Sequence, residues 1–340
     1  MKKSAAQLFG AIVLLLALVP AGQAAEKLYH LLKEIPVGGE GGWDYLSVDS
    51  PARRLYVAHA TKVVVLDLDK EVVVGEITNT PGVHGFAIAD DLRRGFSSNG
   101  REAKASIVDL KTLKTLSKVD TGQNPDAILY QRGQEEIYAF NGGDHSATVF
   151  EAMTGKVLAT VKLSGKPEFA VTDIRLNRVY CNIEDKNEVA VIDSRNHQVI
   201  HSWPIAPGQE ASGLAVDLFH HRLFLGCGNK LMVMMNSTNG QVLATVPIGE
   251  GVDATAFDPG TQMAFSSSGE GTVTIAREET PQKLAVVQTL KTKPGARTMT
   301  FDPKTHKIYL GAFNFEEKDS AGQKQKPIPD SFHILVYGLE

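Results

Sequence analysis

Residues 178–203 read RVYCNIEDKNEVAVIDSRNHQVIHSW: three short apolar runs, at 179–181, 189–192 and 199–203, separated by polar breaks at 182–187 and 193–198. Runs this short, rich in β-branched residues and closed by Asn, Asp and Ser, are strands of a meander and too short for helices. The rest of the chain reads as imperfect copies of this stretch. The aromatic of RVY has counterparts in Tyr56, Phe96, Tyr138, Phe224 and Tyr309, and Ala264 is expected in the same slot. With Tyr180 that makes seven copies. A second anchor, the residue ending the following apolar run, falls at Asp67, Asp109, Glu151, Asp193 and Met235, each 42 residues from the last. Two anchors in step at a period near 42 are the signature of a propeller.

Further strands follow at 72–77, 156–163, 198–205 and 241–248, and others precede the aromatic at 45–48, 214–216 and 299–301. Four strands per copy, seven copies and no helical stretch in the mature chain predict an all-β fold, a seven-bladed β-propeller with four-stranded antiparallel blades, as a single domain over 26–340. Asp49, Asp217, Asp258 and Asp302 are read as turn residues between first and second strands. The last copy ends at its third strand. The segment 29–37, YHLLKEIPV, resembles the end of a repeat without the repeat before it, so it is expected to complete the final blade and close the ring. An insertion at 312–332 is expected as a loop between the second and third strands of that blade, either disordered or a flap over one face.

The chain opens with Met1, Lys2 and Lys3, then an apolar run over 8–19, Pro20 and the small residues Ala21, Gly22, Ala24 and Ala25. This pattern predicts a secretory signal peptide over 1–25, cleaved after Ala24 or Ala25, and places the mature protein in the periplasm or outside the cell with no membrane span. Loss of Lys2 and Lys3 takes the formal net charge from −4 to about −6, which argues against nucleic acid as a partner. Cys181 and Cys227 are read either as a disulfide formed in an oxidising compartment or as two small buried residues.

The motifs RVYCN, VAVIDS, RLYVAH, VVVLDLD and LATVPIG, with the closing SFHILVYG, resemble the YVTN family of seven-bladed propellers and its YncE-like secreted branch. The resemblance covers the mature chain and implies the propeller fold. It implies no activity, since the family shares no catalytic motif. Trp43-Asp44 occurs once and is no WD-repeat signature. The glycine run 38–42 lacks the following helix that a phosphate site needs.

In a propeller the loops that lead from one blade's outer strand to the next blade's inner strand converge on the mouth of the central channel. Here the residues entering the inner strands are expected to be Asp44, His84, Asp126, Glu168, Glu210, Asp253 and Arg297, five carboxylates, an imidazole and a guanidinium around one axis. His59, Asn99, Asn141, Asp144, His145, Asn182 and Asn229 are expected on the rim. Three readings stand for this ring. It is a solvated funnel of scattered charge; or it binds a cation or polar ligand, with Asp126, Glu168 and His84 as candidate ligands of a divalent metal such as Ca²⁺, which takes about 6 to 8 oxygens; or it is an enzyme site with His84 or a crowded carboxylate as general base. The first choice is a binding or scaffold module, expected to be monomeric, for a small polar ligand, a cation or a protein; the alternative is a metal-assisted hydrolase, lactonase or lyase. Adjacent His220 and His221 point opposite ways on an extended chain and are not expected to chelate one metal. His197, His201 and His306 are read as surface residues. The sequence has no CxxC, HExxH, GxSxG or CxxCH motif.

Overall fold

A computed structural model describes residues 28–316 and 326–339; the expected signal peptide and the middle of the insertion lie outside these residues. The described chain forms seven four-stranded antiparallel sheets arranged as the blades of a propeller. Blade 1 contains Trp43–Asp49, Arg54–His59, Lys62–Asp67 and Val72–Ile77, from the channel outward, and blades 2 to 6 follow the same order. Blade 7 contains Met299–Asp302, Lys307–Ala312 and His333–Gly338, and its outer strand is the N-terminal His30–Pro36. The only helices among the described residues are single 3₁₀ turns at Gly100–Glu102 and Glu184–Lys186, and neither is long and apolar enough to cross a membrane.

The third strands carry runs such as VVVL, VAVI and MVMM because their two faces are covered by the neighbouring blades, so hydrophobic residues do not alternate with polar ones. The outer strands face solvent on one side, and Val72, Val73 and Val74 are exposed. The aromatic anchors Tyr56, Phe96, Tyr138, Tyr180 and Phe224 are wholly buried between blades. In blade 6 the strand pairing places Phe265 in this slot, one residue beyond Ala264, so all seven blades carry an aromatic there. The third strand of blade 5 ends at Asn236 and not at Met235.

The turns repeat as closely as the strands. The residue before each second strand, Arg53, Arg93, Glu135, Asn177, His221, Gln262 and His306, has φ between 52° and 58°. Asp49, Asp173, Asp217, Asp258 and Asp302 accept backbone N–H bonds from the turns that follow them, as their turn assignment requires. Asp67, Asp109, Asp193 and Asn236 do the same at the ends of third strands.

Closure of the ring rests on the N-terminal strand, whose pairing with His333–Gly338 runs from His30 opposite Gly338 to Pro36 opposite His333. Tyr29 fastens it to blade 6. Its ring packs edge-on against Phe265 at 5.3 Å, and its backbone exchanges two hydrogen bonds with the Gln288 amide. The two ends of the insertion pair at Phe315 and Pro327, and Phe313 and Phe332 pack on Trp43. Gly38, Gly39 and Gly41 adopt positive φ, and Gly39 N–H donates to Asp330 Oδ1 at 2.6 Å, so the glycine run holds the base of the insertion. Cys181 and Cys227 are free and buried in separate clusters of blades 3–4 and 4–5.

Candidate functional site: the channel mouth

Each inner strand enters its blade at the same end, and in six blades a bulge separates its first residue from the regular pairing with the second strand. A bulge re-aims side chains, and the second and third residues of these strands turn towards the channel. The second residue is Asp44, His84, Asp126, Glu168, Ser212 and Asp253 in blades 1 to 6. Arg297 takes the corresponding place in blade 7, three residues before Thr300, which pairs with Tyr309 as Ser47 pairs with Tyr56. Glu210 does not join the ring. The loop before blade 5, residues 205–210, is two residues longer than its counterparts 121–124 and 163–166, which leaves Glu210 exposed and brings Ser212 to the ring position.

The ring is built of three linked groups. His84 Nδ1 lies 2.7 Å from Asp44 Oδ2 and 3.8 Å from Asp126 Oδ1. Lys166 Nζ lies 2.6 Å from Glu184 Oε2 and 2.9 Å from Glu168 Oε2, too oblique in the second case for Glu168 Oε2 to accept a hydrogen bond. Arg297 Nε is 2.7 Å from Asp253 Oδ2. Candidate metal ligands are thus Asp44, His84 and Asp126, whose donor atoms all lie within 4.8 Å of one another, while Glu168 is engaged by Lys166. An imidazole with two carboxylates suits a zinc-type ion better than Ca²⁺, which prefers an all-oxygen shell.

A residue missed in the sequence lies beneath this ring. Tyr45, the third residue of its strand, meets Phe169 of blade 4 with ring centroids 4.9 Å apart, and blades three apart touch only across the channel. The corresponding residues Gly85, Ala127, Gly213 and Ala254 are small and leave room for the pair. Tyr45 is buried, and burial first, then the charges of Asp126, Glu168, Asp253 and Asp44, hold its phenol far above the ordinary range. The charges of carboxylates from four blades are therefore felt at one buried phenol.

Burial raises three of the ring carboxylates. It raises Asp126, against the pull of His84 and with help from Asp44 and Glu168. It raises Glu168 against Lys166, and it takes Asp253 to about 6 in spite of Arg297. For His84 burial disfavours the imidazolium, but the hydrogen bond to Asp44 and the charge of Asp126 outweigh it and raise the pKa. Gly100 makes room for this imidazole: a Cβ there would stand 2.6 Å from His84 Nε2.

The ring is held from behind by side chains at the fifth position of second strands. Ser98 Oγ donates to Asp126 O, Asn182 Nδ2 to Ser212 O, and Ser267 Oγ to Arg297 O, each bond crossing to the next blade. Asn182 is thus a blade-to-blade strut, wholly buried. Asn99 and Asn141 are also buried and bond within their own blades, to Ser106 and Glu102 and to Ser146 and Thr148. His59 is 1% exposed, lies 4.7 Å from the Phe332 ring and has both ring nitrogens without a hydrogen bond; burial and then Lys62 lower its pKa. These four expected rim residues are therefore buried. His197, read as a surface residue, is largely buried against Glu136 at 3.0 Å.

No family model matches the chain, and no curated protein matches it. Among solved structures it is similar to Kuenenia stuttgartiensis hydrazine synthase, with a TM-score of 0.68, 15% identity, and coverage of 79% of this chain and 92% of that one. It is also similar to the WD40 repeats of RRP9 (TM-score 0.74, 12% identity, 91% and 97% covered) and to U3-55K (TM-score 0.74, 12% identity, 90% and 98% covered). At such identities the likeness is one of fold, and the chain is a seven-bladed β-propeller.

Proposed function

We propose that this propeller is a secreted binding module of the YVTN, YncE-like type, working in the periplasm, whose channel mouth takes a small cationic ligand above Tyr45. One observation carries the reading: Asp44, Asp126, Glu168 and Asp253 enter the inner strands of four blades at the same position, around the buried Tyr45, and burial holds three of them above their ordinary range. Buried carboxylates in this state gain from an added positive charge, which takes the place of their protons. Binding therefore releases protons and strengthens as pH rises. The net acidic charge favours a cation over nucleic acid.

The test is thermal stabilisation by a panel of divalent cations and linear diamines at pH 5 and pH 8. At least one class should raise the melting temperature more at pH 8, and Asp126→Asn with Glu168→Gln should remove the shift while leaving the fold intact. A panel without any shift, or shifts indifferent to these two substitutions, would sink the reading.

A metal-assisted hydrolase is the second reading, supported by the grouping of Asp44, His84 and Asp126. In that case His84 and the two carboxylates would hold the ion, which would supply a hydroxide nucleophile near neutral pH. Lactone or ester turnover that requires added metal and disappears in His84→Ala would favour it.

A further inference from the structure

At the face opposite the channel mouth, the first turn of blade 5 meets blade 6. The third strand of blade 6, Thr272–Thr280, runs nine residues, against six in every other blade, and the extension carries Glu278 to the turn that follows Asp217. We infer that Asp217, His220 and Glu278 form a zinc-type metal site. Their donor atoms lie within 4.8 Å of one another, and His220 Nδ1 is 2.6 Å from Asp217 Oδ2. The Asp217 side chain is wholly buried and that of Glu278 only 6% exposed. Glu278 Oε1 faces Arg222 Nε at 3.4 Å, whereas its Oε2 is buried without any hydrogen-bond partner. Arg222 directs its Nη1 away, to the carbonyls of His220 and His221. The geometry leaves one buried carboxylate oxygen with no proton donor beside an imidazole and a second carboxylate.

One nitrogen and two carboxylate oxygens, with a fourth position open to water, make a zinc donor set, and bonds of about 2.0–2.1 Å put tetrahedral ligand atoms roughly 3.3 Å apart. Small rotations of the side chains reach that spacing. His220, with its side chain 51% exposed, gives the ion access from solvent. Arg222, on the far oxygen of Glu278, orients the carboxylate as an outer partner. Adjacent His221 is not required, in keeping with the opposite directions of neighbouring side chains.

The test is Zn²⁺ titration of the full chain, stripped with chelator, against a colorimetric zinc competitor, in a His84→Ala, Asp126→Asn background that removes the channel-mouth ligands. One equivalent should bind, and Glu278→Gln and His220→Ala should each weaken it by at least about tenfold. Co²⁺ in place of Zn²⁺ should give the intense visible absorption of a four-coordinate ion, lost in His220→Ala, a half-exposed position whose substitution should leave the circular dichroism spectrum unchanged. If no equivalent binds in this background, or if binding survives both substitutions, the cluster is an interblade ion pair only and the inference fails.

Discussion

Asp253 shows how single side chains set the behaviour of the channel mouth. Its carboxyl is held at about 6 against an ordinary 3.8, so the folded state takes up the proton more readily than the unfolded chain. The corresponding stability is fully present below about pH 3.8 and is lost as pH rises through about 6. Asp253→Asn should therefore stabilise the protein at pH 8 by on the order of 1–2 kcal/mol and change nothing near pH 3.5, which chemical denaturation at the two pH values measures. Gly100 acts by what it lacks. Gly100→Ala would crowd His84 off Asp44, and the imidazole, without that partner, should titrate lower than in the parent protein, which an NMR pH titration of the His84 ring measures.

Among the elements, the second strands do more than fill the blades. Asn182, wholly buried, donates from blade 4 to the carbonyls of Ser212 and Gly213 in blade 5. Asn182→Leu leaves those carbonyls without this donor, so a loss of about 1–3 kcal/mol is expected in urea unfolding. Asp49, Asp217, Asp258 and Asp302, which close first strands, were legible in the sequence because their side chains bond the turn that immediately follows. The interblade struts were not legible. Ser98, Asn182 and Ser267 bond residues 28 to 30 positions away, and no local pattern separates them from any other buried polar residue.

The whole molecule depends on its closing blade. His30–Pro36 buries Ile35, covers the edge of His333–Gly338 and, through Tyr29, holds blade 6. Deletion of residues 28–36 should lower the melting temperature by more than about 10 °C and produce aggregation detectable by size exclusion, because an apolar edge strand is then open to pairing. The seven-bladed count was readable from two periodic anchors, and the N-terminal closing strand from the likeness of 29–37 to the end of a repeat. Ala264 and Met235 were each one residue out of register because blade 6 carries its aromatic at Phe265 and blade 5 ends its third strand at Asn236.

Repetition in the sequence determined the propeller, since strand pairing within a blade is between neighbours in the chain and every blade solves the same packing problem. It also indicated six of the seven ring positions; Glu210 failed because two extra residues in a loop shift the register without altering the composition. Only the tertiary structure decided what the ring does with its charge. The pairing of His84 with Asp44, the contact of Tyr45 with Phe169 across the channel, and the burial that raises Asp126, Glu168 and Asp253 all join residues from different blades. Electrostatics at the axis depends on distances and solvent exclusion among groups remote in sequence, and those exist only once the ring has closed.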